Sequence, residues 1–340
     1  MAAGSLAEPL LDGQRGRPDG LHAARLAACL AACVATGVSQ PLLMSQLRFA
    51  GLADPTCQLY VVPYYFGMAS TGVLMVCKPT PRLASLPLHR SVFIACFGIV
   101  AQSLNWTGNM FAGSSIFAVI YSSVTIWAAL LSRVLMQRVL TIWQWCGIFV
   151  VFSGLAITGF EAKHQGDKIF LGAAMVTVGA FLHALSHSLS ELISVRGARI
   201  PPYVNSCVQG CVCCTLVGTW QCTYTVSHWE KIAIPMEDAG TTWGYASLLL
   251  CGVAAGNFVH AATFFYLLTS IGVVSTGVLK SVQSVAVFCL AHFLYCDRDE
   301  SQCFTPVKGA SLVTVVCGVL CYVAATGAAQ SRQLAGSYEK

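Results

Sequence analysis

Apolar stretches of about 20 residues recur along the whole chain, and they restrict its fold more than any other feature of the sequence. An α-helix needs that length to cross a hydrocarbon core roughly 30 Å thick. Of the 340 residues, 56% are hydrophobic and 10% are charged, whereas soluble domains carry about 25% charged residues. The stretches are continuous and not short and alternating, which argues against a β-barrel. The sequence therefore predicts an all-α polytopic membrane protein.

Ten transmembrane helices are predicted, arranged as two inverted five-helix repeats. The spans are 23–45, 59–77, 91–110, 113–133, 140–160, 169–192, 203–224, 243–268, 272–295 and 307–327. The expected organisation is a cytosolic N-terminal tail over 1–22, a first repeat over 23–160, a polar linker over 161–168, a second repeat over 169–327 and a cytosolic C-terminal tail over 328–340.

The basic residues indicate how these spans are oriented. With ten spans and a cytosolic N-terminus, twelve of the nineteen Lys and Arg residues face the cytosol, six face the opposite side, and Lys280 lies inside the ninth span. Cytosolic loops carry an excess of Lys and Arg, so both termini are expected in the cytosol. The net charge of +5 then reflects topology, and no nucleic-acid partner is predicted.

Two of the seventeen cysteines differ from the others in their surroundings. Most cysteines lie within spans, where a free cysteine behaves as a small hydrophobic residue. Cys296 and Cys303 instead bracket "DRDESQ" in the loop after the ninth span, on the predicted non-cytosolic side. An oxidising compartment on that side would favour a disulfide between them.

Two pairs of segments indicate that the halves are copies. "GSSIFAVIYSSVTIW" (113–127) aligns with "GVVSTGVLKSVQSVA" (272–286), which places Tyr121 opposite Lys280. "IFVVFSGLAI" (148–157) aligns with "LVTVVCGVLC" (312–321), which places Gly154 opposite Gly318. With five spans in each half, the second copy is inverted relative to the first. Secondary transporters have such inverted repeats, with a substrate site near the membrane midplane between them.

Lys280 is the residue that most strongly suggests a function. A charged side chain at the centre of a transmembrane helix costs at least about 2.5 kcal/mol, and such residues usually face a water-filled cavity or a partner. No Asp or Glu lies in the middle of any predicted span to neutralise it. An anionic substrate could do so. The alternative is a lysine that extends to the membrane interface.

Other polar side chains within the spans are candidates for the same site. Gln102, Asn105 and Asn109 share one face of the third span because they are separated by three and four residues. Buried amides either bind a substrate or hold helices together. The residues predicted to bind substrate are Lys280, Tyr121, Gln102, Asn105, Asn109, Asn257, His260, Ser281 and Gln283.

His183, His187 and Glu191 form one stripe along the sixth span, at positions i, i+4 and i+8. The stripe suits a proton relay or half of a metal site, and its plainer interpretation is a polar face that approaches the cytosol. No metal is predicted, because no further ligands occur at helical spacing. No cofactor or enzymatic activity is predicted either, because the chain lacks the phosphate-loop, metalloprotease and nucleophile-elbow motifs.

The fourth span, a short basic turn and "WQWCGIFVVFSGLAITG" (143–159) together resemble the drug/metabolite transporter superfamily. Within it the chain is most similar to the nucleotide-sugar-transporter-like members, the solute carrier 35 group. The resemblance implies ten helices in two repeats and a cavity-facing lysine in the ninth helix, where Lys280 lies. In the second span this chain has "LYVVPYYFG" in place of the group's aromatic-Asn-Asn signature.

The expected function is secondary-active transport, by alternating access, of an organic anion such as a nucleotide sugar or a phosphorylated compound. A carrier of a neutral solute such as an amino acid, and a non-transporting receptor or scaffold with the same fold, remain open alternatives. The expected partners are the small-molecule substrate and the lipid bilayer, and a homodimer is left open. The resemblance and "EPLL" at 8–11 suggest the Golgi or another endomembrane, endosomal or vacuolar, ahead of the plasma membrane.

Overall fold

The computed structural model describes residues 20–77, 83–136, 140–195 and 199–338, and within these ranges the chain is helical without any β-strand. The helices are α1 Gly20–Phe49, α2 Val61–Ala69, α3 Leu74–Cys77, α4 His89–Tyr121, α5 Val124–Met136, α6 Ile142–Gln165, α7 Asp167–Val195, α8 Pro202–Trp220, α9 Glu230–Asp238, α10 Trp243–Ile271, α11 Val273–Tyr295 and α12 Pro306–Tyr338. Most of the N-terminal tail predicted over 1–22 lies outside the described residues.

Seven of these helices are long and apolar enough to cross a membrane, and they identify an all-α integral membrane protein. They are α1, α4, α6, α7, α10, α11 and α12. Two shorter apolar stretches, Val61–Val76 and Val124–Leu135, lie between them. The count of ten spans and the inverted repeat stay predictions.

Two helical segments meet at a kink at Gly113 within α4, which is where the boundary between the third and fourth spans was predicted. Other helix boundaries depart from the predicted spans. The fourth span, predicted over 113–133, is divided between the second part of α4 and α5. The polar linker expected over 161–168 is mostly helical, with Gly166 alone between α6 and α7. Contacts one turn apart favour helix here, namely a hydrogen bond from Gln165 to Glu161 and an ion pair of Lys163 with Asp167.

Gly113 and Gly272 adopt nearly the same unusual backbone conformation. Gly113 has φ 79° and ψ 159°, and Gly272 has φ 83° and ψ 163°. This region of backbone space is essentially restricted to glycine. Each glycine directly precedes a helical segment that enters the middle of the molecule, the second part of α4 and α11, respectively.

The α6 and α12 helices approach each other through small residues. A methyl group added at Gly147 would lie 2.8 Å from the carbonyl oxygen of Gly318, and one at Gly154 would lie 3.1 Å from the carbonyl oxygen of Ser311. Small residues at helix contacts let backbones pack closely within a membrane. Since residue numbers rise along one helix as they fall along the other, the two helices are antiparallel.

The loop between α11 and α12 is closed by a disulfide between Cys296 and Cys303, whose Cα atoms are 4.5 Å apart. Asp299 in this loop pairs with Arg48 at the end of α1. Burial of Asp299 opposes its ionisation, but hydrogen bonds from Arg48 and Ser301 outweigh this effect and lower the pKa of the carboxyl. The ion pair is therefore retained at mildly acidic pH and is lost only as the pH falls through that lowered pKa.

We expect Cys296 and Cys303 to resist alkylation until a reductant is added, because a sulfur atom in a disulfide is not a nucleophile. Mass spectrometry after alkylation of the folded protein, with and without reduction, measures this. Cys222 is an exposed free cysteine and serves as the control that reacts in both samples. Closing so short a loop with a disulfide contributes about 2 kcal/mol to the free energy of unfolding. Full alkylation of Cys296 and Cys303 without reductant would exclude the disulfide.

Candidate functional site

A central cavity lies between α1, α2, α4, α7, α8, α10 and α11. Its volume is about 100 Å³, and since one water needs roughly 10–15 Å³, the cavity has room for several waters. Eight of the nine residues predicted to bind substrate line it: Lys280, Tyr121, Gln102, Asn105, Asn109, Asn257, His260 and Gln283.

Lys280 lies on α11, about 10 Å along the helix from its first residue. The side chain is 7% exposed. Its Nζ is 3.3 Å from Nε2 of His260 and 5.3 Å and 5.8 Å from the ring centroids of Phe264 and Tyr121. No carboxylate among the described residues forms an ion pair with it. Aromatic faces stabilise a cation only partly, so this charge can still attract an anion.

Ser281, which the sequence suggested as a ligand, is not part of the cavity wall. Consecutive residues of a helix are separated by 100° of rotation, which turns Ser281 away when Lys280 points inward. Its hydroxyl is buried without a hydrogen-bond partner among the described residues. Ser284 lines the cavity instead, one turn beyond Lys280, and donates to the Lys280 carbonyl at 2.7 Å. The i+4 spacing from Lys280 could have identified it.

On α10, Asn257 and His260 share a face because they are three residues apart. Nδ1 of His260 is 3.0 Å from the Thr36 hydroxyl. Asn257 accepts a hydrogen bond from Gln40 at 2.9 Å and donates one to the Tyr64 carbonyl at 2.6 Å. These contacts join α10 to α1 and α2, so Asn257 serves helix packing as well as lining the cavity.

The three amides of α4 line the cavity, and two of them make interhelical contacts. Asn105 is 3.2 Å from Nδ1 of His183, and Asn109 donates to the Pro41 carbonyl at 3.4 Å. The side-chain oxygens of Asn105 and Asn109 are buried and have no hydrogen-bond partner within the described ranges. Unsatisfied buried oxygens are rare, and these two leave acceptor capacity next to the cavity. Gln283 of α11 donates to the Cys33 carbonyl at 2.9 Å.

The predicted stripe on α7 divides into two parts with different surroundings. His183 and His187 line the cavity and stack on each other, with ring centroids 5.3 Å apart. Nδ1 of His183 is 2.8 Å from the Tyr121 hydroxyl.

Glu191, the third member of the stripe, lies outside the cavity wall. Its carboxylate accepts a hydrogen bond from the Val273 backbone N–H at 3.2 Å, at the first residue of α11. A carboxylate at this end of a helix is stabilised by the helix dipole. Glu191 thus caps the helix that carries Lys280.

Aromatic side chains complete the wall, and the sequence did not single out Trp106 or Phe264. Trp106 packs edge-to-face on Tyr64, with centroids 4.9 Å apart, and Phe264 lies 4.6 Å from the ring of His187. Aromatic residues are common in lipid-facing positions as well, so sequence position alone gave no signal for them. The cavity therefore combines one cation, three imidazoles, amides and apolar rings.

One grouping of metal-type ligands occurs among the described residues, and it is remote from this cavity. His292, Cys296 and Cys303 place their ligand atoms within 4.8 Å of one another. Both sulfurs belong to the disulfide, which removes the thiolates that a metal would need.

No family model matches this chain. An uncharacterized protein of Schizosaccharomyces pombe is 29% identical over 116 residues, which are 33% of this chain and 36% of that protein. The aligned region thus spans about a third of that relative's length. A protein of known crystal structure aligns over 88% of this chain and 96% of its own with a TM-score of 0.58, and at 13% identity this similarity shows the fold alone.

Proposed function

We propose that the protein is a secondary-active transporter that carries an organic anion, such as a nucleotide sugar or a phosphorylated compound, by alternating access. The observation that carries the proposal is Lys280, a buried cation without an ion-paired carboxylate among the described residues, in the wall of a central polar cavity. Leaving such a charge in a low-dielectric interior is costly, and a bound anion offsets that cost.

A two-fold relation between the halves supports the transporter fold. The repeat alignment pairs Gly113 with Gly272 at an offset of 159 residues, and these two glycines have nearly the same backbone angles. Because that conformation is essentially confined to glycine, its recurrence at aligned positions is strong support for duplicated structure.

Contacts between α6 and α12 follow the same relation. At an offset of 164 residues, Gly147 corresponds to Ser311 and Gly154 to Gly318. Exchanging the halves therefore turns the contact of Gly147 with Gly318 into that of Ser311 with Gly154, and both are present. A two-fold axis that exchanges antiparallel helices lies perpendicular to them. For helices that cross a membrane, such an axis lies in the membrane plane, as inverted repeats require.

The same axis supports a central position for the site. Tyr121 and Lys280 are aligned residues of the two copies, and the Lys280 Nζ is 5.8 Å from the Tyr121 ring centroid. Residues related by a two-fold axis come this close only near the axis. We therefore place Lys280 near the middle of the membrane and count α2 with α3, α5 with the second part of α4, and α8 among ten spans.

The orientation of the protein in its membrane is part of the same proposal. The Cys296–Cys303 loop lies at the end of α11, and disulfides persist in oxidising compartments. This agrees with the excess of basic residues predicted on the other side of the membrane. We propose cytosolic termini and a Golgi or other endomembrane location, with the disulfide loop in the lumen.

Cavity size favours small substrates in the conformation described. An engineered protein cavity of about 150 Å³ holds benzene, and the open volume here is about 100 Å³. A compact phosphorylated compound requires less opening of the helices than a nucleotide sugar does. A net-neutral amino acid brings an ammonium together with its carboxylate and so compensates the Lys280 charge less than a phosphate does, and an organic cation would be repelled by it.

Thermal stabilisation of the purified protein by a panel of compounds tests the proposal. The panel contains UDP-glucose, glucose 6-phosphate, glutamate, neutral amino acids and an organic cation. We expect stabilisation by anions and a smaller effect, or none, with the others, because binding to the folded state raises its stability. Stabilisation by the cation or by neutral amino acids alone would contradict the anion carrier. No effect from any compound would favour a receptor or scaffold.

A further inference from the structure

The contact between Lys280 and His260 determines how protons are distributed in the cavity. At 3.3 Å between Nζ and Nε2, the two groups cannot both be cationic without strong repulsion. The ammonium donates to Nε2, so His260 is neutral and carries its proton on Nδ1. That nitrogen faces the Thr36 hydroxyl at 3.0 Å, and the hydroxyl donates to the Ala32 carbonyl at 2.7 Å. Thr36 can therefore accept from Nδ1–H, which agrees with this tautomer.

The other titratable groups that surround the pair come from every neighbouring helix. They are Cys33 of α1, Tyr64 and Tyr65 of α2, Tyr121 of α4, His183 and His187 of α7, and Cys213 of α8. None of these is a carboxylate, and no Asp or Glu lines the cavity within the part of the chain that the structure describes. Because the described wall has no carboxylate, a bound anion can supply the counter-charge of the pair.

We propose that His260 takes up one proton when an anion binds to Lys280, so that a dianionic substrate and a proton cross the membrane together. This inference rests on the proposed transport function and adds the coupling ion. The anion draws the Lys280 ammonium toward itself and frees Nε2 of His260. Its second negative charge then stabilises an imidazolium, which is the ordinary response of a histidine to a nearby anion.

The proton balance of this cycle is closed. A proton from water on the side of entry binds Nε2, and Nδ1 keeps its proton and its contact with Thr36. After the carrier reorients, the anion leaves and Lys280 returns to Nε2. The imidazolium, again beside an ammonium, releases its proton to water on the side of exit. One dianion and one proton have moved, and the protein has returned to its starting protonation state.

The other two cavity histidines are less suited to this role. Nδ1 of His183 already faces two donors, the Tyr121 hydroxyl at 2.8 Å and the Asn105 amide at 3.2 Å. His187 stacks on His183 and lies against Phe264 with the two rings tilted, and no hydrogen bond among the described residues joins it to Lys280 as one joins His260. Anion binding and protonation must change each other's affinity by the same factor. The group that is protonated must therefore interact with the anion, and His260 does so through Lys280.

Purified protein in proteoliposomes, with the membrane potential clamped at zero, tests the coupling with two labelled probes. UDP-glucose stays doubly ionised near neutral pH, so any proton that moves with it is carried by the protein. Glucose 6-phosphate can carry a proton on its own phosphate. Exchange is measured at equal pH on both sides of the membrane. Accumulation is measured with the pH outside about one unit lower than the pH inside. His260→Gln keeps an acceptor for Lys280 but cannot be protonated.

For wild type we expect exchange at equal pH and about tenfold accumulation of UDP-glucose under the gradient, as one coupled proton per anion gives. For the cavity variants the readout is the accumulation under the gradient relative to the exchange in the same preparation, because either substitution can also slow exchange. That accumulation should fall below about twofold in His260→Gln and should remain in His187→Gln. His89→Gln, at the exposed start of α4, is the control outside the cavity and should match wild type.

The failures of the two proposals are distinguishable. Wild-type exchange without gradient-driven accumulation would overturn the coupling and leave the transport function intact. An accumulation that persists in His260→Gln, or that is lost in His187→Gln alone, would also overturn the role of His260. No exchange of either probe by wild type would remove the transport proposal and the coupling together.

Discussion

Replacing Lys280 with alanine should reduce anion uptake into proteoliposomes by about 100-fold, the loss expected for a charge-assisted hydrogen bond worth roughly 3 kcal/mol. Lys280→Arg should retain part of the activity, because it keeps the charge but changes its shape and reach. The cavity offers no second cation among its described lining residues to replace Lys280. Uptake of labelled glucose 6-phosphate, and of UDP-glucose in parallel, measures the effect.

The same variant should fold and insert normally. A buried cation opposes membrane insertion, so removing the Lys280 charge should not hinder insertion. The variant loses the contact of Lys280 with His260. Thermal melting in detergent and gel filtration check this. Lys168→Ala, at the exposed start of α7, is the matched control and should transport as wild type does. Normal uptake by Lys280→Ala would contradict the anion-binding role.

Alanine at Gly113 or Gly272 should destabilise the protein by about 1–3 kcal/mol at each site, the cost of holding a non-glycine residue in that region of backbone space. A Cβ at Gly113 would also lie 2.8 Å from the Ser301 hydroxyl oxygen in the disulfide loop. At Gly272 the nearest atom is a Glu191 carboxylate oxygen at 3.3 Å. Gly113→Ala should therefore have the larger effect of the two.

Thermal unfolding in detergent measures both variants, and Gly256→Ala is the control. Gly256 lies in the interior of α10, and an added Cβ meets no atom within 4 Å. Alanine there should be neutral or stabilising by up to about 1 kcal/mol, because glycine is a poor helix former. If Gly113→Ala and Gly272→Ala both melt at the wild-type temperature, neither position needs glycine, and the argument for a repeat is weakened.

Hydropathy predicted the helical segments because it depends on local pattern, and the internal alignment paired Lys280 with Tyr121 because the two halves resemble each other. A lysine within an apolar run, and its aligned tyrosine in the other copy, can be found by inspection of the sequence. The division of the fourth span between α4 and α5 could not be found in this way, because the turn at 122–123 consists of serines that are tolerated within helices.

Contacts between distant parts of the chain that the internal alignment does not pair were beyond sequence reasoning. Glu191 belongs to a regular stripe with two histidines, and only the position of α11 shows that it caps that helix. Similarly, the pairing of Asp299 with Arg48 joins residues far apart in sequence. By contrast, Ser284 could have been preferred to Ser281 from the sequence, because its i+4 spacing places it on the face of α11 that carries Lys280.

Counterflow in proteoliposomes that contain only the purified protein tests the central claim most directly. Vesicles are loaded with excess unlabelled glucose 6-phosphate, or UDP-glucose in a second series, and labelled compound is added outside. An alternating-access carrier should accumulate label transiently above its external concentration, and Lys280→Ala vesicles should not. A channel gives equilibration without an overshoot, and a receptor or scaffold gives no entry. Absence of an overshoot with both compounds in wild-type vesicles would contradict the account.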